Sequence, residues 1–231
     1  MWVWPGSTIS PPGPQKSGYA LDGWYRDAGL SANSKCDFAA DAVTAPLTLY
    51  AKWNFAAGSF AAGDTGPAGG VIFFVSPNGF PVDGTTEIVH YFEAAPADIG
   101  VFAMASGALP NGINTPGTDT MGGVTILYGR RNTATIIAEG KSAGVLTPAA
   151  TACDNYVHGG KDDWHLPNSN ELLEVLRIVS NASGTSYWSS RMNSSNGAQA
   201  YYVPYPPPAG GAMSAAAAAT EARSVWPIRY F

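Results

Sequence analysis

Strands are predicted where apolar and polar side chains alternate or where a short apolar run is bounded by turn residues. Over residues 47–53, Leu, Leu, Ala and Trp alternate with Thr, Tyr and Lys, which is the period-two pattern of a half-buried strand. The segments 23–25, 71–75 and 88–92 fit short strands as well. Further strands are expected within the aromatic-rich stretches 187–190, 201–203 and 225–231. The pattern therefore predicts a chain rich in strands and long loops.

The clearest helix is predicted from Ser169 to Val179. Asn168 fits the N-cap position, and Glu171 stands three residues further on, as in a capping box. The apolar residues recur at helical spacing and form one face; they are Leu172, Leu173, Val175, Leu176 and Val179. A second, shorter helix is expected at residues 132–139.

A change in composition near residue 54 divides the chain. The first 54 residues carry four basic and four acidic side chains, whereas the remainder carries eight basic and thirteen acidic ones. Residues 55–66 are small and turn-forming without periodicity, which is typical of a linker. We therefore predict a small module at 1–54, a linker at 55–66 and a larger ligand-binding domain at 67–231.

The small fraction of charged residues and the negative net charge exclude some classes of function. Charged residues make up 13% of the chain and the net charge is −5, whereas globular chains average about 25% charged residues. The longest basic run is Arg130–Arg131, so the stripe that neutralises nucleic-acid phosphates is missing. The apolar run at 71–75 is far shorter than the ~20 residues of a membrane span. We expect no nucleic-acid partner and no membrane insertion, and the start of the chain shows no export signal.

Candidate catalytic and metal sites each have a structural alternative. His158 and His165 flank two aspartates, a conceivable metal cluster. Metal-binding helices place their ligands four residues apart, and this stretch contains two glycines and a proline, so a polar loop network is favoured. Motifs for nucleophilic serines, phosphate loops and dinucleotides are absent. We expect no catalytic residues, no cofactor and no metal. Cys36 and Cys153 allow at most one disulfide and are interpreted as unpaired thiols.

The first module resembles a repeat of bacterial surface proteins. Its motifs are GY at 18–19, GWY at 23–25, CDF at 36–38 and LTLYAKW at 47–53. Together they resemble the internalin B-type (Listeria and Bacteroides) repeat over residues 6–53. That resemblance implies a small β-grasp-like module found in tandem. The first strand of the family would precede Pro5, so the module is expected to be incomplete.

The larger domain resembles a second family. Its motifs are GDTGPAGGVIFFV from residue 63, GGKDDWHLPN at 159–168, YWSS at 187–190 and the closing WPIRYF. They resemble the C-terminal domain of the Legionella collagen-like adhesin and its bacterial relatives over residues 63–231. The resemblance implies a C-type-lectin-like fold without the cysteines and calcium loops of animal lectins. The expected fold class is α+β, with this domain following the β-grasp-like module.

Residues 180–220 carry a single charge, Arg191, among many aromatic and small residues. One interpretation is a flexible low-complexity loop. The other rests on resemblance to retroelement-diversified variable proteins, in which adenines are randomised. Randomised Asn codons yield residues that include Ala, Pro, Gly, Tyr and Thr, the residues of the patches YPPPAGG and AAAAAT. A rigid frame with tolerant loops suits such a recognition surface.

We therefore predict a non-enzymatic ligand-binding protein of a bacterial or phage surface. Its variable face would lie in residues 187–220 and be diversified by a retroelement. A fixed-specificity adhesin for host or bacterial polysaccharide is the alternative, and an enzyme of the formylglycine-generating type is a third. The expected partner is an unknown protein or glycan, and the location is extracellular or at the cell surface. The predicted ligand-binding residues are Arg191, Asn193, Asn196, Gln199, Tyr201, Tyr202, Tyr205, Pro207, Met213, Ala215, Ala217 and Ala219.

Overall fold

The computed structural model describes residues 4–56, 58–82, 87–115, 128–207 and 216–231. The chain divides into two compact units, Met1–Ser59 and Phe60–Phe231. It is sheet-rich with few helices, in agreement with the predicted α+β class. The strands are β1 Tyr19–Tyr25, β2 Tyr50–Phe55, β3 Val71–Pro81, β4 Ile88–Ala94, β5 Val101–Ala103, β6 Ser186–Met192, β7 Gln199–Pro204, β8 Ala216–Ala218, β9 Ala222–Ser224 and β10 Ile228–Tyr230. The α-helices are α1 Gly129–Ala143, α2 Pro148–Asp154 and α3 Ser169–Ile178.

The first unit is built on an antiparallel pair of strands, β1 and β2, with a short 3-10 helix at Ala32–Ser34 between them. Tyr25 at the end of β1 faces Tyr50 at the start of β2. The predicted strand at 47–53 therefore begins later than expected. Beyond Tyr25 the chain turns away, with the Arg26 amide donating to the carbonyl of Ser34. Residues 47–49 consequently have no partner strand in the described part of this unit.

The described residues of the second unit form two sheets. The three-stranded sheet has the order β10-β4-β3, and the five-stranded sheet has the order β5-β9-β6-β7-β8. Within the five-stranded sheet β6 pairs with β7 in antiparallel orientation, with an irregularity between Trp188 and Met192. The β6–β7 hairpin is the element that positions the candidate site described below.

The helices of the second unit agree with the sequence pattern at α3 and extend it elsewhere. Asn168 caps α3, accepting hydrogen bonds from the amides of Asn170 and Glu171, and the Glu171 side chain completes the predicted capping box. The helix predicted at 132–139 spans Gly129–Ala143 in the structure. The predicted range is too short because the two ends of the helix lack the apolar spacing that marks its middle. Helix α2 was not predicted; it begins at Pro148, a residue preorganised for the first turn.

Two hydrophobic clusters form the core of the second unit. One combines residues of α3, of the three-stranded sheet and of the β6–β7 hairpin, and it contains Trp164, Tyr187 and Trp226. The other contains Trp188, together with apolar residues of α1 and α2. Trp188 and Trp226, which belong to the YWSS and WPIRYF motifs, are both fully buried.

Part of the predicted linker is integral to the second unit. The Gly63 amide donates to the Ile72 carbonyl at 2.8 Å, and the Ile72 amide donates to the Asp64 carbonyl at 2.9 Å. The Phe60 ring packs edge-on against Tyr91, with centroids 5.2 Å apart. Residues 60–66 therefore belong to the folded domain rather than to a free connection.

Candidate functional site

The motifs of the second unit meet in a buried ion-pair network. Arg229 of β10 donates two hydrogen bonds to Asp163, at 2.7 and 3.0 Å, and one to Glu93 of β4 at 3.0 Å. The Glu93 side chain is completely buried, whereas that of Asp163 remains 41% exposed. Burial alone would raise the pKa of Asp163, but the Arg229 guanidinium outweighs it, and the pKa lies below its ordinary value.

The second oxygen of the buried Glu93 carboxylate explains the glycine-rich entry to β3. Its Oε1 accepts hydrogen bonds from the amides of Ala68 and Gly70, each at 2.9 Å. A Cβ at Gly66 would lie 2.4 Å from that same oxygen, so any side chain there would displace the Glu93 carboxylate. The sequence motifs GDTGPAGG, DDWHLPN and WPIRYF are thus parts of one structural network.

A second set of buried polar groups surrounds the carboxylate of Glu171 at the start of α3. Its Oε2 accepts the Asn168 amide at 2.7 Å, and its Oε1 accepts the Tyr230 hydroxyl at 3.2 Å. Burial raises the pKa of Glu171 to about 7, although these hydrogen bonds act in the opposite direction.

His165 lies beside this group with its ring 4.4 Å from that of Tyr230, between centroids. Its ring is buried, and within the described residues neither nitrogen has a well-formed hydrogen bond. Burial, followed by the nearby charge of Arg130, lowers the pKa of His165 to about 3. The imidazole is therefore neutral at physiological pH.

Because of this shift, acid is expected to destabilise the protein through His165. In the unfolded chain the imidazole takes up a proton near pH 6.5, whereas the folded protein does so only near pH 3. The unfolded state binds more protons between these values, so the free energy of unfolding falls as the pH falls through this window. The slope from this group approaches about 1.4 kcal/mol per pH unit.

Chemical denaturation of the wild type and of His165→Phe between pH 7 and about pH 4 measures this contribution. Phe keeps the ring packing against Tyr230 and removes two nitrogens that lack good partners. The stability difference between the two proteins should shift toward the variant as the pH falls. A difference that stays constant with pH would contradict a buried neutral imidazole. Comparing the two proteins removes the opposite slope of Glu171, whose pKa is raised.

The conceivable metal cluster does not assemble. The His158 ring stacks on Tyr156, with centroids 5.9 Å apart. His165 points into the core, and Asp163 is paired with Arg229. Over the described ranges, no three His, Cys, Asp or Glu side chains are grouped so as to hold a metal ion. Cys36 and Cys153 are free thiols, and burial raises the pKa of both.

An open cleft lies at the turn end of the β6–β7 hairpin, where β6 ends and β7 begins. It has a volume of about 180 Å³. The guanidinium carbon of Arg191 lies 4.1 Å from the centroid of the Tyr201 ring, so a cation is stacked on an aromatic face at one wall. The lining residues are Ile113, Asn114, Thr115, Arg191, Met192, Ser194 and Tyr201. The cleft is the candidate functional site.

The two walls of the cleft are joined by a seam of hydrogen bonds between loop 109–115 and the hairpin. The Leu109 amide donates to the Gly197 carbonyl at 2.9 Å, and the Gly112 amide donates to the Ser194 carbonyl at 2.7 Å. In return, the amides of Gly197 and Met192 donate to side-chain oxygens of Asn111 and Thr115, each at 2.8 Å. The main chain therefore fixes the cleft largely independently of the exposed side chains that line it.

Gly197→Ala is expected to open this seam. A Cβ at residue 197 would lie 1.8 Å from the carbonyl oxygen of Leu109, so loop 109–115 must move away. We expect a loss of about 1–3 kcal/mol in the free energy of unfolding and faster amide exchange at Leu109 and Gly112. Gly107→Ala is the matched control, because its Cβ would meet only a Val145 methyl at 3.9 Å. Equal changes in stability and amide exchange in the two variants would show that the seam does not hold loop 109–115 against the hairpin.

The structure brings together only part of the predicted ligand-binding set. Arg191 and Tyr201 meet in the cleft. Asn193, Asn196 and Gln199 instead build the hairpin turn: the Asn193 amide nitrogen donates to the Gln199 side-chain oxygen at 2.9 Å. The Asn196 side chain accepts the Ala198 amide at 3.1 Å. These polar side chains are engaged in local structure.

The aromatic residues of β7 do not share one surface. Successive side chains of a strand point to opposite faces, and Tyr202 accordingly turns away from Tyr201. The guanidinium carbon of Arg223 lies 3.7 Å from the centroid of the Tyr202 ring. Tyr205 packs against the first hydrophobic cluster, and Pro207 is half-buried.

The alanines of the predicted ligand-binding set differ in how far they are buried. Ala217 is half-buried on β8, where it faces Ala200 of β7. Ala219 is fully buried, and its carbonyl accepts the Ala105 amide at 3.0 Å. The prediction that Ala219 contacts ligand is therefore corrected: its methyl group packs in the second hydrophobic cluster. Met213 and Ala215 lie outside the described residues.

The sequence reasoning missed Ser194 and the whole of loop 109–115. Ser194 lies between two selected residues, but nothing in its spacing singles it out. Loop 109–115 has no periodic pattern, and its contacts with the hairpin join residues 77 positions apart at Thr115 and Met192. No local signal could have placed it at the site.

Comparison with known proteins gives one clear result for the first unit. Residues 5–52 match the family model of the Listeria-Bacteroides repeat domain. The repeat predicted there from its motifs is thereby confirmed. A curated protein of Evansella cellulosilytica, provisionally named a Gly-rich membrane protein, is 44% identical over 50 residues. The match covers 21% of this chain and 6% of that protein.

Among solved structures, a fimbrial protein from Bacteroides ovatus is similar, with a TM-score of 0.48 and 12% sequence identity. The comparison covers 94% of this chain and 49% of the fimbrial chain. The chain thus spans less than half of the length of each of these relatives. Over the described residues, none of the helices combines the length and apolar content that crossing a membrane requires.

Proposed function

We propose that the chain is a non-enzymatic recognition protein of a bacterial or phage surface, and that its cleft binds one unit of a polysaccharide. Listeria-Bacteroides repeats occur in tandem on bacterial surface proteins, and residues 5–52 match that domain. This match supports the surface location, with the repeat acting as a spacer.

The observation that carries the recognition function is the construction of the cleft. Hydrogen bonds from four main-chain amides hold its walls, while the exposed side chains of Asn114 and Ser194 belong to neither hydrophobic cluster. A volume of about 180 Å³ suits a group the size of one sugar ring. A stable protein partner usually covers about 800 Å² per side, which is far more surface than one cleft of this size offers. A saccharide is therefore favoured as the ligand.

We further propose that the second unit has a C-type-lectin-like fold. Two features support this: the strands near its beginning and end, β3 and β10, both pair with β4, and loop-rich segments surround the β6–β7 hairpin. In this arrangement the ion-pair network of Glu93, Asp163 and Arg229 forms the rigid base of the domain. The cleft lies on other segments of the chain, between the β6–β7 hairpin and loop 109–115.

The chemistry of the cleft supports a role in binding rather than catalysis. Its described lining contains no His, Asp, Glu or Cys, so the Ser194 hydroxyl has no adjacent base to activate it. The hydroxyl of Ser189 on β6 is buried and donates to the Tyr201 carbonyl at 2.9 Å. The buried Cys153, with its raised pKa, is equally unsuited to reaction.

An array of neutral and acidic bacterial and host polysaccharides tests the proposal with the full chain. Ser194→Trp is expected to fill the cleft and abolish binding to every polysaccharide that the wild type retains. Val157→Trp is the control, because Val157 is 65% exposed and lies outside the cleft lining. Absence of binding across the array, or full binding by Ser194→Trp, would overturn the proposal.

A second candidate adds diversification of this surface by a retroelement. The patches YPPPAGG and AAAAAT support it, and Ala218 on β8 is exposed and can vary. The buried Ala219 and the stacked Tyr202 restrict the range of tolerated changes. A near-identical template repeat, differing only at adenines and lying beside a reverse-transcriptase gene, is the expected genomic finding. A locus without such a repeat leaves the fixed-specificity adhesin.

A further inference from the structure

We propose that Asn111 is a site of self-modification, at which the chain converts its own asparagine to aspartate and isoaspartate, and that the isoaspartate opens the cleft. The reaction needs no ligand and is independent of the proposed function. Asparagine followed by glycine hinders it least, because glycine has no side chain to obstruct attack by its own nitrogen. The chain has three such pairs, at 78–79, 111–112 and 196–197.

The reaction exchanges the side-chain amide of asparagine for an acid. The main-chain nitrogen of Gly112 gives up its proton and attacks Cγ of Asn111, which forms a new C–N bond. The bond from Cγ to the side-chain nitrogen breaks, and ammonia leaves. Water then opens the cyclic imide at either carbonyl, giving aspartate or isoaspartate, whose main chain runs through Cβ and Cγ. Water enters and ammonia leaves, so no oxidant or reductant is required.

The structure leaves Gly112 room to attack. Asn111 and Gly112 are both exposed and lie in a turn. A Cβ at Gly112 would meet no atom of the described residues within 4 Å. The Gly112 amide donates to the Ser194 carbonyl at 2.7 Å, and it must leave this hydrogen bond before it attacks. Hydrogen bonds of exposed main chain open at a small free-energy cost, so the reaction follows local opening of the seam.

A neighbouring amide favours attack on the side-chain carbon of Asn111. The buried Gly197 donates its amide to Oδ1 of Asn111 at 2.8 Å. The attack places negative charge on this oxygen, and a main-chain N–H that is already in position stabilises such a charge. Asn111 therefore combines an accessible nucleophile with an ordered donor to the developing oxyanion.

The glycine nitrogens of the other two pairs are held more firmly. The amide of Gly197 is committed to the hydrogen bond just described. Gly79 lies within β3, and a Cβ there would lie 2.3 Å from a methyl carbon of Ile88. Asn78 and Asn196 therefore need a larger opening of the fold before their glycines can attack.

Isoaspartate at position 111 changes the wall of the cleft, because it lengthens the main chain of loop 109–115 by one atom. Leu109 and Gly112 lie on either side of this position, and both donate main-chain hydrogen bonds to the hairpin. The spacing of these two amides matches that of their acceptors, the carbonyls of Gly197 and Ser194. A longer connection between them breaks the match, so the loop moves away from the hairpin.

Incubation of the full chain at mildly alkaline pH, followed by peptide mass mapping, tests the modification site. Asn78 and Asn111 both lie between a proline and a glycine, so Asn78 is the control for local sequence. In the folded protein we expect conversion at Asn111 at least about tenfold faster than at Asn78 or Asn196. In urea the difference between Asn78 and Asn111 should vanish. Equal rates at these two residues in the folded protein, or a difference that persists in urea, would overturn the proposal.

Amide exchange tests the effect on the cleft. In the isoaspartate form, separated by chromatography, the Leu109 amide should exchange at least about tenfold faster than in the unconverted protein. Asn111→Asp is the matched control, because its carboxylate keeps an acceptor for the Gly197 amide and its main chain has the ordinary length. Leu109 should stay protected in that variant. Unchanged exchange at Leu109 in the isoaspartate form, or equally fast exchange in Asn111→Asp, would overturn the opening of the cleft.

Discussion

Replacing Arg229 with methionine is expected to lower the free energy of unfolding of the second unit by about 3–5 kcal/mol. The guanidinium is the cation that faces the fully buried Glu93 at 3.0 Å and Asp163 at 2.7 Å. Methionine fills most of the same volume but leaves the buried Glu93 carboxylate without this cation, so that the amides of Ala68 and Gly70 are its remaining partners among the described residues. Because domains are stable by only about 5–15 kcal/mol, this loss is large.

Denaturant unfolding of four variants, Arg229→Met, Arg177→Gln, Glu93→Gln and the double variant, isolates the cause. Arg177→Gln removes an ion pair of similar type whose side chains are 49% and 32% exposed, and it should cost less than about 1 kcal/mol. The double variant Glu93→Gln with Arg229→Met removes both charges, so it should be less destabilised than the sum of the single variants. Additive effects, or equal losses at Arg229 and Arg177, would show that the buried pair has no special role.

Trp226→Ala is expected to destabilise the second unit by a comparable amount, about 3–5 kcal/mol. The indole is fully buried in the first hydrophobic cluster, and its N–H donates to the Ala95 carbonyl at 2.8 Å. Alanine leaves a cavity and an unsatisfied carbonyl in the same place. Trp188→Ala should behave similarly, because that indole is also buried and donates to the Phe102 carbonyl at 2.9 Å.

The matched control for these substitutions is Trp4→Ala. Trp4 is 84% exposed in the first unit, so its loss should change unfolding by no more than about 0.5 kcal/mol. Thermal unfolding followed by near-ultraviolet circular dichroism measures all three variants. If Trp226→Ala unfolds like Trp4→Ala, the first hydrophobic cluster is not the stabilising core that the structure indicates.

The sequence predicts those parts of the fold that depend on local pattern. The capping box at Asn168 and Glu171 and the apolar face of α3 lie within one short segment, and the structure has both. Strand β2 was placed correctly only over residues 50–53, because the start of the strand depends on where β1 runs out of partners at Tyr25. Helix α2 has no such local pattern beyond Pro148.

The candidate site was predictable only on the hairpin side. Arg191 stood out as the single charge in a long aromatic and small-residue segment, and it does line the cleft with Tyr201. The opposite wall, loop 109–115, depends on contacts between distant segments that no local pattern records. Alternation along β7 separates Tyr201 from Tyr202, and the burial of Ala219 depends on the packing of the second hydrophobic cluster.

The position of β10 has a consequence for the biogenesis of the protein. Arg229 must reach Glu93, 136 positions earlier in the chain, and the carbonyl of Phe231 accepts the amides of His90 and Tyr91. Until β10 has left the ribosome, the nascent domain therefore lacks the strand that completes its ion-pair network. Contacts of such long range also form slowly. The domain thus becomes rigid only once β10 is available to pair with β4.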